Sequence, residues 1–442
     1  MAKNKKITQY KAPIEVISEP LSRFLKLEAA SGIMLIVFTI LALVWANSPF
    51  KESYYALLHT EFTISIGKLI FSHSLQHMVN DALMCIFFFI IGLELKREFA
   101  HGELKRPKNA VLPIIAAIGG MLVPALIFFA LNDAPESKNG WGIAMATDIA
   151  FAVGVMTLLG NRISNELKIF LLTLAVVDDI GAILVIAVFY SAEIGFYSLG
   201  LSFVFVGIIA IVYKLGVRNL FAFALIFSVA WFFMLDSGIH STILGVMVGL
   251  MAPSRPDVSK ESFMDRLERL KTRFFEAGRA DDHHAKSVAL KNMSRLSYSS
   301  MSTTQRLEIF FHPWNIFYVL PLFALFNAGF ELSFSSFSSP LSIYIAASLV
   351  VGKAVGVTFF VYLGHWLKIA NLPPNAGFID FLGIGFLAGI GFTMSIFISA
   401  LAFADETLQI NAKSGIFMAS LIAGIAGYLT LRYLRPSDRL QD

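Results

Sequence analysis

Residues Leu171–Tyr190 read LLTLAVVDDIGAILVIAVFY. Twenty residues is about the length a helix needs to cross the hydrocarbon core of a bilayer. The only charges in the stretch, Asp178 and Asp179, sit side by side near its middle. An isolated carboxylate there costs at least ~2.5 kcal/mol. Such a pair faces a watery cavity, binds a cation, holds a proton, or is locked by hydrogen bonds for packing alone. Ionisable groups inside a membrane are functional by default, so the first three readings lead.

The rest of the chain agrees with a spanning helix. Of 442 residues, 56% are hydrophobic and 15% charged, and the mean hydropathy is +0.70. A soluble chain of this length carries far more charge, so the sequence is that of a polytopic, all-α membrane protein. The single cysteine, Cys85, excludes an intramolecular disulfide. The net charge of +4 does not point to nucleic acid, because the charges lie between the apolar runs. Residues 1–28 are polar and lysine-rich, and the first apolar run is long enough to span, so no cleavable signal is expected.

Apolar runs fall near 29–48, 74–97, 109–131, 140–159, 167–190, 196–214, 220–235, 238–252, 313–331, 340–365, 378–404 and 411–434, which predicts twelve transmembrane helices. With the N-terminus inside, inside segments hold 30 Lys and Arg against 4 outside (Lys51, Lys68, Lys138 and Lys413), with Lys353 within a span. Both termini are therefore expected to be cytoplasmic. The chain divides into a tail at 1–28, a membrane-embedded body at 29–435 interrupted by a long inside loop at 253–312, and a tail at 436–442.

Outside the membrane, Phe62–Ile66 alternates apolar and polar residues, which reads as a strand and half of a short hairpin. In the inside loop, Phe263, Leu267, Leu270 and Phe274 recur at helical spacing among charges. That helix is expected on the membrane surface or against the protein. Asp281-Asp282-His283-His284 has no flanking ligand cluster and reads as a solvated loop rather than a metal site. Ser297–Thr304 is serine-rich and reads as a mobile linker.

Two further charges lie deep in apolar runs: Asp148 in span four and Lys353 in span ten. Asp148 is too short to snorkel, and Lys353 has apolar neighbours on both sides. A structural salt bridge would account for Lys353 without excluding a role in function. Asp81 and Glu94 lie thirteen residues apart on span two, Glu94 at a helix end with Lys96, Arg97 and Glu98. His240 is a lone histidine in an apolar run, more often a satisfied core group than a sensor.

Span eleven contains Gly383, Gly385, Gly389 and Gly391 within nine residues. Each weakens a helix by about 1 kcal/mol relative to alanine, which predicts an unwound segment. Span four, with Thr147-Asp148 inside it, and span eleven are each the middle of a three-run group, 109–190 and 340–434. Matching interruptions in two oppositely oriented groups point to inverted repeats and a site at mid-membrane. If the broken spans meet, Asp148 and Lys353 would neutralise the half-helix ends.

The segments ATDIAFAVGV (146–155), LTLAVVDDIGAILVIA (172–187) and LAGIGFTMSIFIS (387–399) resemble those of NhaA-type sodium/proton antiporters. So do FFIIGLELKRE (88–98), GIHSTILGVMVG (238–249), HPW (312–314) and PLFALFNAG (321–329), so the resemblance covers about 30–435. That family is itself a standard example of inverted repeats with interrupted helices. The resemblance implies twelve helices, repeats formed by spans 3–5 and 10–12, and crossing, broken spans 4 and 11. Asp178 and Asp179 would bind sodium and carry protons, Thr147 would lie near the ion path, and Lys353 would pair with Asp178 when the site faces inward. Asp148 would balance the helix ends. Glu94, Arg97, Glu98 and Glu308 would form a cytoplasmic pH-responsive cluster, with His240 a further candidate for pH response. The hairpin near 50–70 would join a homodimer. The sequence departs from the pattern in its longer loop at 255–305 and in Ile309 and Phe310, where a histidine near Glu308 is familiar.

The expected activity is exchange of cytoplasmic sodium or lithium for external protons across a bacterial inner membrane, without enzyme chemistry or a cofactor. Sodium prefers hard oxygen ligands, which carboxylates, a hydroxyl, carbonyls and water supply. Protons compete for the same carboxylates, which titrate as a coupled pair. Three rivals are weaker. A proton-coupled symporter for an organic solute needs more polar groups in its spans. An intramembrane aspartyl protease needs its aspartates on different helices, whereas neighbours on one helix point about 100° apart. A retinal pump using Lys353 does not need twelve spans.

Overall fold

The computed structural model describes residues 29–434 except 67–68, 192–193, 216–218, 257 and 375; the tails expected at 1–28 and 436–442 lie outside them. The described chain is mostly helical, with a single two-stranded sheet. Seven described helices are long and apolar enough to cross a membrane: Leu75–His101, Ala110–Leu131, Asn165–Phe189, Phe196–Lys214, Thr303–Asn327, Pro340–Trp366 and Glu406–Leu434. Three helix pairs pass the same test together but are sharply bent: Ala30–Ala46 with Lys51–Leu58, Pro135–Met145 with Ile149–Leu158, and Phe378–Ala388 with Phe392–Ala402. Leu220–Asp236 and Ser241–Met251 are shorter apolar helices. Large apolar side chains such as Val188, Phe189, Phe196 and Phe221 are exposed on the outer faces, as suits a multi-pass membrane protein.

Both interruptions expected from sequence are present. Pro135–Met145 is a 3₁₀ helix, residues 146–148 are extended or irregular, and Ile149–Leu158 resumes as α-helix at a 48° bend. Phe378–Ala388 and Phe392–Ala402 meet at the same angle, 48°, across residues 389–391. Only two of the four glycines in this span mark the break. Gly385 lies inside the first half, where a Cβ would stand 2.8 Å from Ala354 Cα, so it serves close packing beside Lys353.

The Lys353 helix is pressed against Pro107–Leu131. A Cβ on Gly356 would stand 2.3 Å from the Gly119 carbonyl oxygen, so neither backbone tolerates a side chain there. A π turn at Ser348–Gly352 precedes Lys353 and resets the face on which it projects. Such turns concentrate at functional sites.

Outside the helices, Glu61–Ile66 (β1) pairs antiparallel with Leu69–Ser74 (β2), Thr63 opposite Ser72, as the alternation in Phe62–Ile66 predicts. In the loop after Met251, Lys260–Arg279 is helical as expected, and of the two expected placements its apolar stripe takes the one against the protein, on a second helix, His283–Ser299, whose Ala289 and Leu296 are buried. Asp282 caps that second helix by accepting from Ala285 N at 2.9 Å, and Lys286 lies over the Phe274 ring. The serine-rich stretch is no free linker: Ser297–Ser299 completes the helix, Ser302 and Gln305 form a capping box, and Thr304 N donates to Pro253 O at 3.1 Å. Lys413, expected outside, is instead a buried residue of Glu406–Leu429, a helix that starts several residues before its apolar run.

Candidate functional site

Asp178 and Asp179 occupy the middle of Asn165–Phe189, and both are buried. Their surroundings differ because adjacent helical residues point in different directions. Asp178 turns towards the Lys353 helix and the first break. Its Oδ2 accepts from Lys353 Nζ at 2.5 Å and from Thr147 Oγ1 at 2.7 Å, while Oδ1 is buried without a hydrogen bond. Lys353 Nζ also donates to Thr147 Oγ1 at 3.0 Å. The ammonium and carboxylate are both fully shielded, so each depends on the other for its charge to be tolerated.

Asp179 lines a cavity of about 1040 Å³ that also touches Thr147, Asp148 and Thr393. Towards its other end the cavity meets Glu94, Arg97, Glu98 and Glu308. Arg97 bridges the last two: its Nη1 pairs with Glu308 Oε1, and its Nη2 lies 3.3 Å from Glu98 Oε1. One carboxylate of the adjacent pair is therefore engaged by an ammonium, and the other faces an open chamber whose largely apolar wall carries a few carboxylates and hydroxyls.

The two breaks meet at Asp148. Its backbone N donates to Ile390 O at 2.6 Å, tying one interrupted helix to the other. Asp148 Oδ1 accepts from Phe151 N at 3.0 Å; Oδ2 accepts from Thr393 N at 2.9 Å and from Thr393 Oγ1 at 2.5 Å. A single carboxylate thus satisfies donors at the N-terminal ends of Ile149–Leu158 and Phe392–Ala402, where helix dipoles favour negative charge. Thr147 Oγ1 lies 2.8 Å from Ala388 O, at the C-terminal end of the opposing half-helix.

Most residues singled out in the sequence converge here. Asp178, Asp179, Thr147, Asp148 and Lys353 form the inner cluster, and Glu94, Arg97, Glu98 and Glu308 line the chamber beyond it. His240 does not join them. Its ring Nε2 lies 2.6 Å from the Tyr190 carbonyl, and it is absent from the lining of the chamber. Sequence reasoning missed Thr393 as the second partner of Asp148. The signal was its place two residues after Gly391, where a helix restart supplies a free N–H beside a hydroxyl.

The family model described as Na+/H+ antiporter 1 matches residues 22–431. The chain is 43% identical over 425 residues to Na(+)/H(+) antiporter NhaA 2 of Syntrophotalea carbinolica, covering 95% of this chain and 97% of that one. It is 42% identical to Na(+)/H(+) antiporter NhaA of Rhodopirellula baltica, covering 97% of each chain. With NhaA of Oleidesulfovibrio alaskensis the identity is 44%, over 96% of this chain and 95% of the relative. These relatives are transporters rather than enzymes, and their exchange of sodium for protons needs no cofactor. The chain belongs to the NhaA family of Na+/H+ antiporters.

Proposed function

We propose that this protein expels cytoplasmic sodium or lithium in exchange for external protons, and that both compete for Asp178 and Asp179. The observation that carries the reading is the contrast within the pair: Asp179 open to the chamber, Asp178 held by Lys353 and Thr147. A cation arriving from the chamber meets Asp179 first. To gain Asp178 as a second carboxylate ligand it displaces the ammonium, since sodium and Lys353 Nζ compete for the same oxygen. Protonation of the pair removes the negative charge that attracts sodium. Sodium and protons are thus bound alternately, and exchange follows when access alternates between the two faces.

The wider frame is part of the same reading. Twelve crossings follow if each bent pair and each short apolar helix spans once, with both termini cytoplasmic in a bacterial inner membrane. Spans 3–5 and 10–12 then form inverted repeats whose broken middle members cross at Asp148 and Ile390. The chamber opens to the cytoplasm, with Glu94, Arg97, Glu98 and Glu308 at its mouth as the pH-responsive cluster. The β1–β2 hairpin joins two protomers in a homodimer, the helical hairpin 260–299 is a cytoplasmic appendage, and His240 holds the Tyr190 carbonyl rather than sensing pH.

The test is sodium-driven proton flux in proteoliposomes containing wild type, Asp178→Asn and Asp179→Asn. Both variants are expected to fold and to lose exchange; wild-type flux from both would overturn the assignment.

A further inference from the structure

At the far end of the Leu75–His101 helix from Glu94 lies a second ionisable group. His73, near the end of β2, stacks on His77, with ring centroids 4.8 Å apart and planes 20° from parallel. His77 Nε2 lies 3.1 Å from Asp81 Oδ2, and the two side chains are 53% and 10% exposed. The three residues lead from a half-exposed imidazole to a buried carboxylate. We propose that His73, His77 and Asp81 form a proton-accepting site on the extracellular face that loads protons for the exchange. This rests on the antiport and orientation proposed above.

The first argument is how poorly Asp81 is satisfied. Its Oδ2 is buried, and although His77 Nε2 approaches it, the two are not aligned for a hydrogen bond. A carboxylate kept for packing is treated differently in this fold, as Asp148 shows by accepting from three donors. The Asp81 backbone, by contrast, is held: its carbonyl accepts from Ser241 Oγ at 3.4 Å. The neighbouring Asn80 Nδ2 donates to Asn327 Oδ1 at 2.9 Å, and the Asn327 amide returns a bond. The position is fixed while the carboxyl group is left to find a proton.

The second argument is which groups face it. His77 lies on its own helix, His73 on β2 and His240 just before Ser241–Met251; Cys85 follows one turn on. Among the described residues no Lys or Arg forms an ion pair with Asp81. His240 Nε2 is occupied by the Tyr190 carbonyl. Burial, then the neighbouring His77, hold the His73 imidazole below its ordinary value. Asp81 is absent from the lining of the central chamber and lies thirteen residues, about 20 Å of helix, from Glu94.

The chemistry balances without a further reactant. External water protonates the half-exposed His77. Rotation of the half-exposed ring lines its Nε2–H up with Asp81 Oδ2, and the imidazolium passes that proton to the carboxylate, leaving neutral imidazole and carboxylic acid. Histidine is suited to this because it changes charge near neutral pH.

The test uses the full chain in everted vesicles, with the cytoplasmic-side pH fixed and the lumenal pH, which is the extracellular side, varied. His77→Gln is expected to lower exchange about tenfold when the lumen is near neutral, the loss shrinking as lumenal protons become abundant. Asp81→Asn should behave alike, and His73→Gln more weakly. Wild-type rates from His77→Gln and Asp81→Asn at every lumenal pH would overturn the proposal. Asp179→Asn, run in parallel, separates this from failure of the cation-site reading, because it should abolish exchange at all lumenal pH values. Nitrogen-15 NMR of the histidines in nanodiscs gives a readout independent of transport: the His77 titration should move in Asp81→Asn. Should Asp81→Asn fail to fold, His77→Gln decides alone, since its half-exposed ring is not needed for packing. An unmoved His77 titration in a folded Asp81→Asn protein would also overturn the coupling.

Discussion

Thr147 has one hydroxyl hydrogen and two acceptors, Asp178 Oδ2 at 2.7 Å and Ala388 O at 2.8 Å. It can serve only one at a time, while its lone pairs receive Lys353. Thr147→Ser should therefore retain exchange, whereas Thr147→Val should raise the sodium KM about tenfold or more, through loss of a buried hydrogen bond worth ~1.5–3 kcal/mol to a charged group. Rate against sodium concentration in the two variants checks this; equal KM values would exclude the hydroxyl from the ion path. Lys353→Ala leaves Asp178 without its cation. The expected destabilisation is about 3 kcal/mol at high pH, because the orphaned carboxylate must stay charged or take a proton. The sign follows: as pH falls the proton becomes available and the loss shrinks. Melting curves across pH measure it, and a pH-independent loss would mean that Lys353 acts through packing. At this scale the sequence was informative where a charge interrupts an apolar run, as at Asp148, Asp178, Asp179 and Lys353. Thr393 was missed because threonine is common in membrane helices, and its place just after Gly391 marks a helix restart without naming Asp148 as the partner.

Among the elements, the packing of the Lys353 helix on Pro107–Leu131 depends on facing glycines. Gly356→Ala would drive a methyl group into the Gly119 carbonyl, at a cost of about 1–3 kcal/mol from overpacking. Separation of the helices would also draw Lys353 away from Asp178. Gly356→Ala should lower both the melting temperature and the exchange rate, and a change in only one would separate packing from positioning. The helical hairpin 260–299 makes the opposite prediction. Pro256 and Ser302 are bridge partners, so replacing the residues between them with Asn-Gly closes a short turn. That deletion should keep exchange between about pH 6 and 9, with at most a displaced pH profile. A folded but inactive deletion protein would place the hairpin within the transport mechanism. Sequence periodicity found Lys260–Arg279 but left its stripe open between the membrane surface and the protein, because the partner's apolar residues, Ala289 and Leu296, are sparse among polar ones. The interruptions were legible from glycine density and from Thr147-Asp148. The 3₁₀ character of Pro135–Met145 was not, since its Pro, Asn and two Gly among polar residues read equally well as a loop leading into the span.

For the molecule as a whole, two kinds of pH response can be told apart. Competition at the aspartate pair raises the sodium KM as pH falls, roughly tenfold per unit when one proton opposes each ion. A switch at the chamber mouth, where Arg97 joins Glu98 and Glu308, instead changes the maximal rate. Exchange against sodium at several pH values, in wild type and Glu308→Gln, decides between them. Full recovery by saturating sodium in both would make the switch unnecessary; a sodium KM that ignores pH would exclude competition.

The bridge at Asp148 bears on how access can alternate. It binds the restarts of both interrupted helices through one carboxylate, and its backbone reaches across to Ile390. In mechanical terms it is a rivet through two crossed beams. Neither beam can tilt without levering the other, so the crossing moves as one stiff piece. If access alternates as proposed, the sliding surface then lies around that piece, and an ion would cross because the walls travel past the site.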